Sequence, residues 1–220
     1  MMDNNIDVKI DSLKVLFNEA NEDIKRICSK FFADNITGPL NNLKDYISLK
    51  SYKNYRKLKE ELPKDIIGLL DKIFDEDDLK KNWLNTKNEI ENKIHTNVTE
   101  KIKKYLLENN FVMPQLQKLI LNTDISFSYA VKDIEQDFRK QMEEAMPSNR
   151  FTGLFIPTFF LNIKKKKILD NLYSHLTNLI NAKKEEVQNN ILKEILQYKD
   201  LIGCEEQTTN YVFKDYTRKF

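Results

Sequence analysis

Residues able to run catalysis or hold a metal are few in this chain, and their spacing limits what each can do. His95 and His175 are its two histidines. Neither has a second histidine or a cysteine at a metal-ligand spacing, so no zinc site is expected from them. Cys28 and Cys204 lie far apart in the chain without companions, a pattern of two ordinary thiols rather than a disulfide framework. The four glycines are scattered and build neither a P-loop nor a dinucleotide-binding turn. Asp75-Glu76-Asp77-Asp78 is acidic enough to attract a divalent cation, but a calcium loop needs alternating oxygen ligands, a central Gly and a distal Glu. A helix start explains the cluster better, because acidic side chains there face the positive end of the dipole and accept from unpaired amides. Ser126 and Ser128 have no elbow motif around them, and Glu143-Glu144 falls on a helical surface. No catalytic residue, metal or cofactor is expected, and the chain reads as a non-enzymatic protein.

Two stretches offer binding chemistry instead. From Lys44 to Lys64 there are seven basic and three acidic residues, together with Tyr46, Tyr52 and Tyr55, a mixture that contacts phosphates and stacks on bases. A solvated helix face has the same composition, and no nucleic-acid-binding motif accompanies it, so nucleic acid is not the expected partner. The second stretch departs further from its surroundings. FTGLFIPTFFLNI, Phe151 to Ile163, is uncharged and carries four of the thirteen phenylalanines, and four lysines, Lys164, Lys165, Lys166 and Lys167, follow at once. Gly153 and Pro157 discourage a regular helix through it. Phe151, Leu154, Phe155, Ile156, Phe159 and Phe160 are the candidate contact residues, with Lys164 to Lys167 as an electrostatic aid.

Helices must position these residues. Charged residues make up 32% of the chain while Gly (4) and Pro (5) are scarce, a balance that favours long helices over a sandwich or barrel. Apolar steps of three and four run through Ile10, Leu13, Phe17, Ala20, Ile24, Ile27 and Phe31, the seam of a packed helix. The spacing predicts helices over 7–34, 39–61, 64–74, 78–109, 115–146 and 164–202, an apolar loop over 147–163 and a tail over 204–220. Gly38-Pro39 is read as the stop after the first helix, Pro63 as the end of the second, and Gly203 as the cap of the last. The hairpin of 78–109 and 115–146 rests on the stripes Leu79, Trp83, Ile90, Ile94 and Leu116, Leu119, Thr123, Phe127. The expected fold is all-α: one elongated antiparallel bundle spanning 1–220, with helices of about thirty residues and about 45 Å. Its apolar loop caps one end.

A hydrophobic content of 40% is enough for a core, and a formal net charge of +2 leaves no whole-molecule field. The opening MMDNNIDVKI shows no secretory signal, and no eighteen-residue apolar run is present. A cytoplasmic protein, peripheral to membrane at most, is the expectation. Three uses of the apolar loop stay open: plugging the end of its own bundle, inserting into a membrane surface of anionic lipid, or docking on a partner protein or a second copy in a homo-oligomer. A helical rod with an apolar, lysine-flanked tip is similar in plan to the stalk and membrane paddle of bacterial dynamin-like proteins, whose nucleotide-binding motifs are absent from these 220 residues. The plan also resembles that of helical pore-forming toxins, which carry an apolar insert between long helices.

Overall fold

A computed structural model describes residues 19, 21–108, 118–146 and 158–217. Every regular element among them is a helix, so the chain is all-α. Helix α1 (21–32) passes through a π-helical turn, Ala33–Thr37, into α2 (Gly38–Leu49); α3 is Tyr55–Ile73, α4 Glu76–Glu108, α5 Ser128–Ala145 and α6 Thr158–Thr217. They are gathered into two compact units. One comprises Met1–Cys28, Leu84–Asp124 and Glu186–Phe220; the other comprises Ser29–Trp83 and Ile125–Glu185.

The second unit is built on apolar stripes. Leu40, Leu43 and Ile47 of α2, Leu58, Leu62, Ile66 and Leu70 of α3, and Leu161, Ile168, Leu169, Leu172 and Leu176 of α6 are all buried. An aromatic group joins them: the ring of Trp83 meets Phe31 edge-on at 5.1 Å, and Phe127 meets Phe74 at 5.2 Å. Asp75 caps α4 by accepting from the Asp78 amide at 3.0 Å, so the acidic cluster begins a helix as its composition implied.

Both proline-based boundaries move. Gly38 is right-handed helical (φ −61°, ψ −56°) and its amide donates to Ala33 O, so the expected left-handed cap between 34 and 39 is replaced by a wider turn. A proline ring collides with the carbonyl four residues back. One extra residue in the π turn lets the helix pass Pro39 without stopping. Pro63 lies inside α3 and does not end a helix at 61. It costs about 3 kcal/mol in a helix interior, whereas each of the four buried aliphatic residues on the α3 stripe is worth about 1.5–3 kcal/mol. The stripe wins. The break falls instead at 50–54, where Lys50 turns extended (φ −65°, ψ 124°) and Asn54 accepts from Lys57 N at 2.9 Å as the N-cap of α3.

The expected helix 115–146 is corrected in the same way. Residues 118–127 are not helical, and α5 begins at Ser128. Leu119, Leu121, Thr123, Ile125 and Phe127 are buried while the residues between them are exposed, the alternation of an extended chain. Positions 119, 123 and 127 satisfy a period of two as well as a helical step of four. Leu121 and Ile125 decide between them.

In the first unit, carboxylates hold this segment. Leu121 N donates to buried Glu91 at 2.8 Å, Asn122 N to Glu194 at 2.6 Å, and the Thr123 hydroxyl also to Glu194. Ile90 and Ile94 of α4 and Ile24 and Ile27 of α1 are buried, as their spacing predicted, and so are Val187, Ile191 and Ile195 of α6. Helix α6 starts at Thr158 rather than 164 and runs through Gly203 to Thr217. Gly203 is no cap, and the tail through 217 is helical. The expected features at 109–117 and 147–157, and the seam residues Ile10, Leu13, Phe17 and Ala20, lie outside the described residues.

Two substitutions separate the glycines. A Cβ at Gly38 would sit 2.9 Å from Ala33 O, whereas nothing lies within 4 Å of one at Gly68. Gly38→Ala is expected to lower the unfolding free energy by about 1–3 kcal/mol and Gly68→Ala to raise it by about 0.5–1 kcal/mol, both read from urea titrations. A third test uses pH. Lys93 hydrogen-bonds Asp23 at 2.7 Å and, with Arg26, holds its carboxyl below the ordinary range. That stabilisation is present above the unfolded carboxylate value, roughly pH 4, and fades as pH falls through the lower folded value. Asp23→Asn should flatten the acid limb of a plot of melting temperature against pH.

Candidate functional site

The candidate site is built where α2 ends and α6 begins, within the second unit. The last carbonyls of any helix lack partners inside it. At the end of α2 the ammonium of Lys165 supplies them, donating to Ile47 O at 3.1 Å, Ser48 O at 3.0 Å and Lys50 O at 2.9 Å. All three of its hydrogens are thereby used. Its side chain is 6% exposed, and burial pushes its pKa below that of an ordinary lysine. Lys164, one residue earlier and turned about 100° around the helix, donates to Ala145 O at 3.0 Å, the last residue of α5. Half of the lysine run is therefore bonded to helix ends, where a cation also meets the negative end of the dipole.

Beside Lys165 lies a second polar knot. Asp65 accepts from Lys50 at 2.6 Å and from the Tyr52 hydroxyl at 2.8 Å. Burial, then the hydrogen bond to Asp65, drives the Tyr52 hydroxyl to a higher pKa, and Asp65 raises that of Lys50. The ammoniums of Lys50 and Lys165 stand 5.6 and 5.9 Å from the centre of the Tyr52 ring, within range of a cation–π attraction. Tyr52 and Tyr55 are core residues, so neither offers a base-stacking platform.

The outer face of α6 has the opposite character. Phe159 and Phe160, 68% and 55% exposed, pack edge to face at 5.7 Å, and Ile163 is 48% exposed. Lys166 and Lys167 follow on exposed positions. Steps of three and four place these five residues along one side of the helix. Leu161, Lys165, Ile168 and Leu172 occupy the buried side. Of the residues selected from sequence, Phe159, Phe160, Lys166 and Lys167 come together on the surface, while Phe151, Leu154, Phe155 and Ile156 lie outside the described residues. The expected loop is helical from Thr158 onward.

Between the end of α2 and α6 lies a groove of about 560 Å³, with Lys44, Ser48, Ser51, Asn162, Lys165 and Lys166 among the residues on its walls. Sequence reasoning singled out the lysine–tyrosine stretch containing Lys44 but had no signal joining it to α6. Lys165 carried a readable signal. It falls on the Leu161–Ile168–Leu172 stripe, where a charged residue needs buried partners. Among the described residues no cluster of His, Cys, Asp or Glu is arranged to hold a metal ion. No family model, curated protein or solved structure matches the chain.

Lys165→Met removes three hydrogen bonds at almost unchanged volume. It is expected to lower stability by about 1–3 kcal/mol, while Lys167→Met stays within about 0.5 kcal/mol of wild type, both by chemical denaturation. The folded pKa of Lys165 lies below its unfolded value, so wild-type stability gains a term that rises with pH between the two. The Lys165→Met variant should lack that rise.

Proposed function

We propose that this is a non-enzymatic helical protein that binds a membrane surface through the exposed start of α6. One observation carries the reading: two adjacent, outward-facing phenylalanines are followed on the same helix side by Ile163, Lys166 and Lys167. Monomeric proteins seldom leave large aromatic residues clustered in water. Each phenylalanine that enters the acyl boundary is worth about 1.5–3 kcal/mol, and each lysine near anionic lipid adds about 1 kcal/mol. Together they favour reversible, peripheral attachment. Among the described residues no helix is long and apolar enough to cross a membrane. Phe151, Leu154, Phe155 and Ile156 precede this face in sequence and belong to the proposed contact.

The elongated antiparallel bundle and a cytoplasmic location are parts of the same proposal; the lengths of α4, 33 residues, and α6, 60, support the bundle alone. A second reading keeps the face and changes the occupant. An edge-to-face aromatic pair is also a common anchor at protein interfaces, so the same residues would serve a scaffold docking a partner or a second copy.

Sedimentation with vesicles separates the two. Wild type should pellet with phosphatidylcholine vesicles containing an anionic lipid, and the Phe159→Asp, Phe160→Asp double variant should stay in the supernatant with an unchanged helical spectrum. If wild type also stays in the supernatant, the membrane reading fails. A concentration-dependent oligomer in light scattering, dispersed by the same double variant, would then support the scaffold.

A further inference from the structure

We propose that the groove between the end of α2 and the start of α6 binds a phosphate group, carried by an anionic phospholipid or by a soluble phosphomonoester. The lipid source rests on the membrane reading above; the phosphate chemistry does not.

Charge is the first argument. Four lysines line the groove, Lys44, Lys50, Lys165 and Lys166, against the single carboxylate of Asp170. Lys50 is balanced by Asp65, but no carboxylate pairs with Lys44, Lys165 or Lys166 among the described residues. A positive groove with low-dielectric walls concentrates anions. Lys165 supplies field alone, because its hydrogens are spent on carbonyls. A buried charge without a counter-ion is costly, and an anion in the groove would offset part of that cost.

Donor geometry is the second. Lys44 and Lys166 are exposed, the Lys44 ammonium standing 5.4 Å from the centre of the Tyr173 ring, and the Ser51 hydroxyl and the Asn162 amide add neutral donors, whereas the Ser48 hydroxyl donates to Lys44 O. A phosphate presents several acceptor oxygens and rewards donors arriving from more than one side. At about 560 Å³ the groove exceeds the needs of a bare ion and falls in the ordinary range for small-molecule sites.

Position is the third. Lys166 lies six residues beyond Phe160 on α6, which is about 9 Å along the axis at 1.5 Å per residue. Apolar side chains of a peripheral helix enter the boundary by about 5–10 Å. With Phe159 and Phe160 in the acyl boundary, that spacing leaves Lys166 and the groove within reach of the lipid phosphates.

The test compares Lys44→Glu, Lys166→Glu and Lys167→Glu on phosphatidylcholine vesicles with and without phosphatidic acid, beside titrations with glycerol 3-phosphate. Lys166 and Lys167 are neighbours undergoing the same charge change, and Lys166 alone of the two lines the groove. Reversing one lysine changes the charge by two units, so the expected result is a loss of at least about three-hundredfold in affinity for acidic vesicles with Lys44→Glu and Lys166→Glu, against roughly thirtyfold or less with Lys167→Glu. Equal losses from all three mean a diffuse field, which overturns the groove and leaves the membrane reading standing. Saturable binding of glycerol 3-phosphate, abolished by Lys44→Glu, with no vesicle binding by wild type, keeps the groove with a soluble ligand and sinks the membrane reading. Binding to neither probe overturns both.

Discussion

Lys165 sits at the join of three elements. Its ammonium takes the last carbonyls of α2, stands over the ring of Tyr52 in the link to α3, and belongs to the buried side of α6. Helix ends inside a packed unit must find hydrogen-bond partners, or each orphaned group costs about 1–3 kcal/mol. Much of the described architecture answers this demand. Lys164 serves the end of α5, Asp75 and Asn54 serve the starts of α4 and α3, and Glu91 and Glu194 accept the amides of a segment without secondary structure.

The same demand sorts surface from interior. A run of four lysines looks uniform in a sequence, yet consecutive residues point about 100° apart on a helix. Lys164 and Lys165 turn toward neighbouring helix ends, while Lys166 and Lys167 face water on the side that carries Phe159, Phe160 and Ile163. Apolar and basic groups on one exposed face therefore come from helix periodicity. The candidate site narrows from a loop with a collar to one side of a helix and the groove beside it.

Legibility followed the redundancy of the signal. The α1 and α4 stripes repeat over several turns, and the burial of Ile24, Ile27, Phe31, Leu79, Trp83, Ile90 and Ile94 was readable from spacing alone. Pro63 and Gly38 misled because local punctuation competes with packing: four buried aliphatic residues outweigh one proline, and a π turn lets the chain pass Pro39. Residues 118–127 misled for a different reason. Leu119, Thr123 and Phe127 fit both periods, and the carboxylates that hold the segment extended, Glu91 and Glu194, lie 30 and 72 residues from their amides.

Composition and periodicity alone determined that the chain is all-α, which residues form most of its buried stripes, and that Phe159 and Phe160 belong to an unusual apolar stretch. These are local properties, set within a few helical turns. Tertiary structure alone decided which carbonyls Lys165 meets and that Lys44 meets Lys166 across a groove. Each depends on residues more than a hundred positions apart being brought within hydrogen-bonding reach or onto one wall, as with Lys165 and Lys50, 115 residues apart. No spacing rule encodes that closeness, because it arises from the packing of helices on one another.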